Sequence, residues 1–357
     1  MKLFFDARYI RTDFHDGISR YSTELATALG RQAHVTFIIC DTDQLKLLPP
    51  EADYVLIHRP TSAREPLTAL ILNHYQPDVV FSPMQTMGAF GRRFKLILTL
   101  HDMIYYRHRT PPHQFNGLIR AGWWLYHATY IPQRLALNSA DLVATVSQTS
   151  REDILTARLT KRPVVIVPNA PQKLRQYLKT DVTTKEPKNL VYIGSFMEYK
   201  NVETLIRGMQ YLPEFTLHLL SRISPIRKAQ LEKIRPHGAK VVFHNGVSDQ
   251  QYAEALADNS LFVSASLDEG YGLPVAEAQA LGVPAVISDL PIFHEVAGEG
   301  ALYFDPSSPA DFAKKVKLAT QSSEYQTLSH AGILQSQKFS WDESAATLLK
   351  AIESLLQ

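Results

Sequence analysis

Cysteine is almost missing from this chain: Cys40 is the only one in 357 residues. A lone thiol cannot close an internal disulfide or build a multi-cysteine metal site, and it fits a reducing compartment. Long apolar runs are missing too. The most apolar stretch, AGWWLYHATYIPQ, is thirteen residues between Arg120 and Arg134, too short to cross a bilayer as a helix. The amino terminus, MKLFFDARYI, meets a charge at Asp6, so it reads as a first strand and not as a secretory signal. Low-complexity segments and internal repeats are absent. These absences exclude a disulfide scaffold and a membrane-spanning protein, and they point to a cytoplasmic location. What remains, 45% apolar and 20% charged, is the composition of a globular enzyme, at a length that suits two domains.

Net charge is only +2, yet it is unevenly spread. Residues 1–168 hold 19 Lys and Arg against 14 Asp and Glu, and residues 169–357 hold 18 against 21. Between Asp78 and Asp141 stand Arg92, Arg93, Lys95, Arg107, Arg109, Arg120 and Arg134 with Asp102 as the one acid. One side of the front half is therefore expected to carry a positive field. No nucleic-acid recognition motif accompanies it, so no nucleic-acid partner is expected.

Short β-branched runs alternate with helix-length segments in two rounds. The first round reads KLFFDA, HVTFIIC, DYVLIH, VVFSP, KLILTLHD, LVATVS and PVVIVPN, with helices near 18–31, 66–76, 114–138 and 148–156. A polar stretch, QKLRQYLKTDVTTKEPKN, reads as a linker. The second round reads LVYIGS, FTLHLL, KVVFHNG, LFVSAS, PAVISD and ALYFD. Strands separated by helical crossovers make parallel sheets, so the expected architecture is α/β, two doubly wound Rossmann-like domains. The expected limits are 1–168, 169–339 and a final helix, 340–357, packing back on the first domain. Ser340 with Glu343 has the spacing of a capping box at that helix's start. Ligands of such sheets sit beyond the carboxyl ends of the strands.

One loop there draws attention. In SLDEGYGLPVAEAQALGVP, Glu269 and Glu277 flank Gly270, Gly272 and Pro274. Pro274 suits the first turn of a helix, and Gly282 suits its end. Glycines let amides approach a ligand, and carboxylates accept the paired hydroxyls of a sugar or ribose. From these residues alone, Glu277 as a complement to the helix dipole and Glu269 as a solvated loop acid remain an equal alternative.

The longer stretch EGYGLPVAEAQALGVPAVISDLPIFHEVAGEGALYFDP closely resembles the E-x7-E signature of family-4 retaining glycosyltransferases. YIGSFMEYKNVETLI, VVFHNGVSDQQYAEAL and FSWDESA fit the same family, and the resemblance is strong over 160–345 and weak before it. It implies the GT-B fold, two Rossmann-like domains facing across a cleft, with the second binding a nucleotide sugar. Carried over by position, Glu269 holds donor sugar hydroxyls beside the amides of Gly270, Tyr271, Gly272 and Leu273. Glu277 takes the ribose, Lys200 the diphosphate, and Val247 the base through its backbone. Many relatives have an arginine directly after the glycine matching Gly194, where this chain has Ser195. Arg222 is a substitute cation, with a solvated surface arginine as the other reading.

In the first domain, HDGISRYSTELATAL resembles the family's glycine loop, with Gly17 meeting the phosphate; by itself it would read as an ordinary turn. His101 and Asp102 end the strand LILTLHD, and in similar enzymes, mannosyltransferases among them, this histidine lies close to the transferred sugar. A core histidine satisfied by backbone is the other reading. The resemblance implies retention of anomeric configuration, with the leaving phosphate accepting the acceptor's proton, so Glu269 orients the sugar and is not a covalent nucleophile. Asp41 and Asp43 imitate a metal-binding pair by chance in a polar loop, and His108 and His113 lack metal spacing. No metal and no other cofactor is expected.

The HD pair and glycine loop favour GDP-mannose as donor, ahead of UDP-glucose or UDP-N-acetylglucosamine. Arginines 107, 109, 120 and 134 interleave with Tyr105, Tyr106, Trp123, Trp124 and Tyr126. That composition suits an anionic membrane surface and a lipid-linked or glycan acceptor, or equally a helix packing its tryptophans inward. A nucleotide-sugar epimerase of the same plan, or a non-catalytic sugar-nucleotide binder, stands as the alternative function.

Overall fold

The computed structural model describes residues 1–13, 17–110, 117–179 and 187–357. His113 and part of the expected linker lie outside the described residues. The chain divides into two compact units, Met1–Asn169 with Ser340–Gln357, and Ala170–Phe339.

The first unit is built on a seven-stranded parallel sheet. Its strands are β1 (Leu3–Asp6), β2 (Val35–Ile39), β3 (Asp53–Leu56), β4 (Val79–Ser82), β5 (Lys95–Thr99), β6 (Leu142–Thr145) and β7 (Val164–Ile166). Their order is β3-β2-β1-β4-β5-β6-β7. Every residue of β1, β4 and β6 is buried, which is why these strands read as continuous apolar runs without alternation. The chain reverses its winding between β1 and β4, and such a switch point opens a crevice at the strands' carboxyl ends.

The final helix, Trp341–Leu356, belongs to this unit and lies on the helix Gly17–Gln32. Ala345, Leu348 and Ile352 are buried, and Trp341 meets Tyr21 edge-on at 5.8 Å. Arg31 pairs with Asp342, and Ser344 Oγ donates to the carbonyl of Pro168 at 2.8 Å. The expected capping box does not form: Ser340 is the N-cap residue, but its side chain takes no cap hydrogen bond. The first turn is tied down by tertiary bonds in its place, with Gln32 Nε2 donating to the carbonyl of Asp342.

The expected helix over 114–138 is two helices in its described part, Gly117–Ala128 and Ile131–Ser139. Pro132 explains the break, since proline lacks the N–H a continuous helix needs but fits a first turn.

The second unit has a six-stranded parallel sheet in the order β10-β9-β8-β11-β12-β13. These strands are β8 (Asn189–Tyr192), β9 (Thr216–Leu219), β10 (Lys240–Phe243), β11 (Ser260–Ser264), β12 (Ala285–Ser288) and β13 (Ala301–Phe304). The switch point here lies between β8 and β11. The start of the expected linker is docked on this unit: Leu174 is buried in the apolar cluster that includes Phe262, Val275 and Phe293.

Candidate functional site

The loops after β8 and β11 leave the second sheet at its switch point, and the structure joins them. The peptide N–H of Leu267 donates to the carbonyl of Tyr199 at 2.7 Å. Beside that bond, Lys200 Nζ lies 2.6 Å from Glu269 Oε1, with both side chains largely buried. Ser266 Oγ also donates to Glu269 Oε1, at 2.8 Å, and is itself 3.2 Å from Ser264 Oγ. One carboxylate oxygen therefore carries two donors. Oε2 takes no hydrogen bond among the described residues. A partly buried carboxylate with one oxygen anchored and one open is suited to accept hydrogen bonds from hydroxyls, because its orientation is already fixed.

The backbone that follows is shaped by close packing. Gly272 has φ +93° and is the N-cap of the helix Leu273–Ala280, with Pro274 in its first turn. A Cβ there would stand 2.8 Å from Phe293 Cε1, so glycine is needed for both its conformation and its lack of bulk. Tyr271 is buried, and burial, with the negative charge of Glu295, pushes its phenol well above the ordinary range. Glu277, in the same helix, is 2% exposed, and Gln172 Nε2 donates to its Oε1 at 2.9 Å.

After β8, the amide of Gly194 donates to Ser221 Oγ at 2.9 Å, and Tyr192 donates its hydroxyl to the carbonyl of Ser195 at 2.7 Å. The Gly194 amide is thus engaged within the protein, and a Cβ at this glycine would meet the Tyr192 hydroxyl at 2.7 Å. Arg222 is exposed and lies across Gly246, whose φ is +106°. Val247 is half-buried against the apolar cluster under the helix Asp249–Ala257. It directly precedes Ser248, whose hydroxyl caps that helix at Gln251 N.

In the first unit, Gly17 opens the helix Gly17–Gln32, and a Cβ on it would meet nothing within 4 Å. His101 Nε2 is 2.8 Å from the carbonyl of Pro83, and its ring meets Tyr21 edge-on at 4.9 Å. That contact assigns the proton to Nε2. Asp102 accepts the N–H of Ile104 at 2.9 Å, fixing the turn after β5. Asp41 caps the turn at Asp43 N, and Asp43 pairs with Lys46. Among the described residues no cluster of three or more His, Cys, Asp or Glu has the arrangement of a metal site.

Three parts of this architecture escape a reading by motif. Ser266 sits only three residues before Glu269, and its hydroxyl was the available signal. Gln172 lies in the stretch whose polarity reads as linker. The third is a buried ion cluster at the carboxyl end of β1. Arg8 donates to Asp6 Oδ1 and Oδ2 at 2.8 and 3.0 Å, and to Glu65 Oε2 and Oε1 at 2.7 and 2.9 Å. All three residues are under 10% exposed. Nothing in the spacing of Asp6 and Glu65 announces their meeting.

The comparisons with known proteins divide at the same place as the fold. The family described as glycosyl transferases group 1 matches residues 176–334, and glycosyltransferase family 4 matches residues 15–170. The serotype-specific mannosyltransferase WbdA of Escherichia coli is 36% identical over 124 residues, 33% of this chain and 15% of that protein. The O-antigen chain mannosyltransferase RfbU of Salmonella typhimurium is 23% identical over 328 residues, covering 84% of this chain and 86% of that one. Among solved structures, Anabaena Alr3699/HepE in complex with UDP and glucose superposes with a TM-score of 0.75 at 18% identity, over 99% of this chain and all of that one. With both halves matched and the Rossmann-like units in place, the chain belongs to the family-4 glycosyltransferases of the GT-B fold, with mannosyltransferases among its relatives.

Proposed function

We propose that this enzyme is a retaining, metal-independent hexosyltransferase that moves mannose from GDP-mannose to a glycan or lipid-linked acceptor. The observation that carries the reading is the Lys200–Glu269 pair at the β8/β11 switch point, with Ser266 holding the same oxygen. The mannosyltransferase relatives support the choice of sugar.

In this reading Glu269 Oε2 accepts hydrogen bonds from hydroxyls of the donor sugar, and Lys200 shares its charge between Glu269 and the donor diphosphate. Cleaving the glycosidic bond places negative charge on the leaving diphosphate and positive charge on the sugar. A fixed ammonium beside the first and a fixed carboxylate beside the second stabilise both without reorganising at the moment of reaction. The departing phosphate takes the acceptor hydroxyl's proton on the face it leaves, which gives retention. Glu277 takes the ribose hydroxyls and Val247 contacts the base. Ser195 brings no charge, so Lys200 carries the phosphate cation's role, with Arg222 as a second cation.

The acceptor reading places the enzyme peripherally on an anionic cytoplasmic membrane face. Trp123 is half-buried with its ring 4.1 Å from that of His127, whereas Trp124 and Leu125 are 51% and 69% exposed. No helix among the described residues is long and apolar enough to cross a membrane.

The test is a thermal-shift panel of GDP, UDP and ADP sugars, since a bound ligand raises apparent stability by mass action. GDP-mannose should give the largest shift, followed by acceptor-dependent release of GDP. A larger shift with a UDP sugar would replace the donor, and isomerisation of the donor without acceptor would replace the reaction class.

A further inference from the structure

At the outer part of the second sheet, two imidazoles converge. His218 in β9 and His244, directly after β10, bring Nδ1 and Nε2 to 3.1 Å, with ring centroids 5.3 Å apart. His218 is half-buried and His244 is exposed, so the pair is open to solvent. Asn189 Nδ2 donates to the carbonyl of Asp258 at 2.8 Å and lies 3.3 Å from its carboxylate. That orientation turns Asn189 Oδ1 toward His218 Nε2, 3.2 Å away. His218 therefore carries its proton on Nε2, and the lone pair on Nδ1 points at His244. Metal-ligating histidines carry such an outer partner, which fixes the tautomer and aims the free nitrogen.

We propose that His218 Nδ1 and His244 Nε2 form a two-imidazole chelate for a borderline divalent cation of the zinc, nickel or copper class. Two nitrogens 3.1 Å apart, each about 2.0–2.1 Å from one ion, subtend roughly 95–102° there. This lies between square and tetrahedral coordination, and each ring turns so that its lone pair leaves the N–N line and meets the ion. Binding also requires that His244 shift its proton from Nε2 to Nδ1, with both rings neutral. Imidazole nitrogens favour copper, nickel and zinc over magnesium. Among the described residues no third acidic, histidine or cysteine side chain completes a cluster, so water holds the remaining positions. The ion would join β9 to the segment that leads from β10 to Val247, and it takes no part in the sugar chemistry.

The test is titration calorimetry of the untagged full chain, stripped with chelator, using Zn²⁺, Ni²⁺ and Mg²⁺ separately. The expected result is one saturable Zn²⁺ or Ni²⁺ site per chain, no Mg²⁺ binding, and at least tenfold weaker binding in both His218→Ala and His244→Ala. Asn189→Ala, which keeps both imidazoles, should lose about 10–100-fold in affinity. A urea midpoint within the wild-type range for each variant shows that the second unit still folds. Unchanged Zn²⁺ affinity in the two histidine variants, or no saturable site in the wild type, would overturn the proposal. Unchanged affinity in Asn189→Ala would overturn the role given to the amide. No donor sugar enters these measurements, so they stand apart from the donor-site reading.

Discussion

Replacing Arg8 by Met tests whether the buried ion cluster at the end of β1 anchors the first unit. Burial works against the guanidinium's charge, but Asp6 and Glu65 more than offset it, and its pKa is raised. The four contacts to Asp6 and Glu65 are charge-assisted, and at about 1.5–3 kcal/mol each they sum to roughly 6–12 kcal/mol. The desolvation of three buried charges cancels much of this, so the net cost of breaking such a cluster is about 3–5 kcal/mol. Most of that cost comes from the two carboxylates left without a cation. Neutralising them as well, in Asp6→Asn, Arg8→Met, Glu65→Gln, should therefore recover at least about half of the loss. Urea unfolding followed by circular dichroism, analysed separately for each unit, measures both quantities. A loss below about 1 kcal/mol in Arg8→Met, or a triple variant no more stable than the single one, would show that the cluster does not anchor the first unit.

Other consequences follow from single contacts. Gly272→Ala forces a side chain into φ +93° and against Phe293; a stability loss of about 1–3 kcal/mol is expected in urea unfolding, and a neutral result would contradict the packing argument. Ser266→Ala leaves Glu269 with Lys200 alone, so turnover should fall roughly 3–10-fold with little change in stability, measurable by steady-state kinetics beside denaturation. His127 has its pKa lowered by burial, partly countered by the Trp123 carbonyl. The folded state then binds fewer protons than the unfolded one, so its stability is full above pH about 6.5 and falls as pH drops below it. His127→Gln should flatten that acid-side slope, and an unchanged slope would remove His127 from it. Trp124→Ala with Leu125→Ala should weaken sedimentation with anionic vesicles about tenfold, whereas equal sedimentation would turn the membrane contact elsewhere.

Much of the architecture was legible because parallel strands buried on both faces leave uninterrupted apolar runs, as in LFFD and SLFVS. The loop of Glu269 was legible because glycines and proline punctuate it so densely, and Gly272 meets that expectation with a positive φ. What stayed hidden depends on partners distant in sequence. Gln172 reaches Glu277 across 105 positions, and Arg8 reaches Glu65 across 57. Ser340 shows the converse, where a correct local signal for a helix start gave way to tertiary bonds made by Asp342. Lys200 likewise reads as a free cation for phosphate, yet its ammonium is already paired with Glu269.

The proposed chemistry has this ammonium–carboxylate pair handle an activated sugar without help from an ion. The most direct measurement is GDP-mannose turnover with a suitable acceptor in the presence of excess EDTA, for the wild type and for Glu269→Ala. Full wild-type turnover in chelator and a loss of at least about tenfold in the variant are expected. Wild-type turnover in Glu269→Ala, or activity abolished by EDTA and restored by manganese, would contradict it.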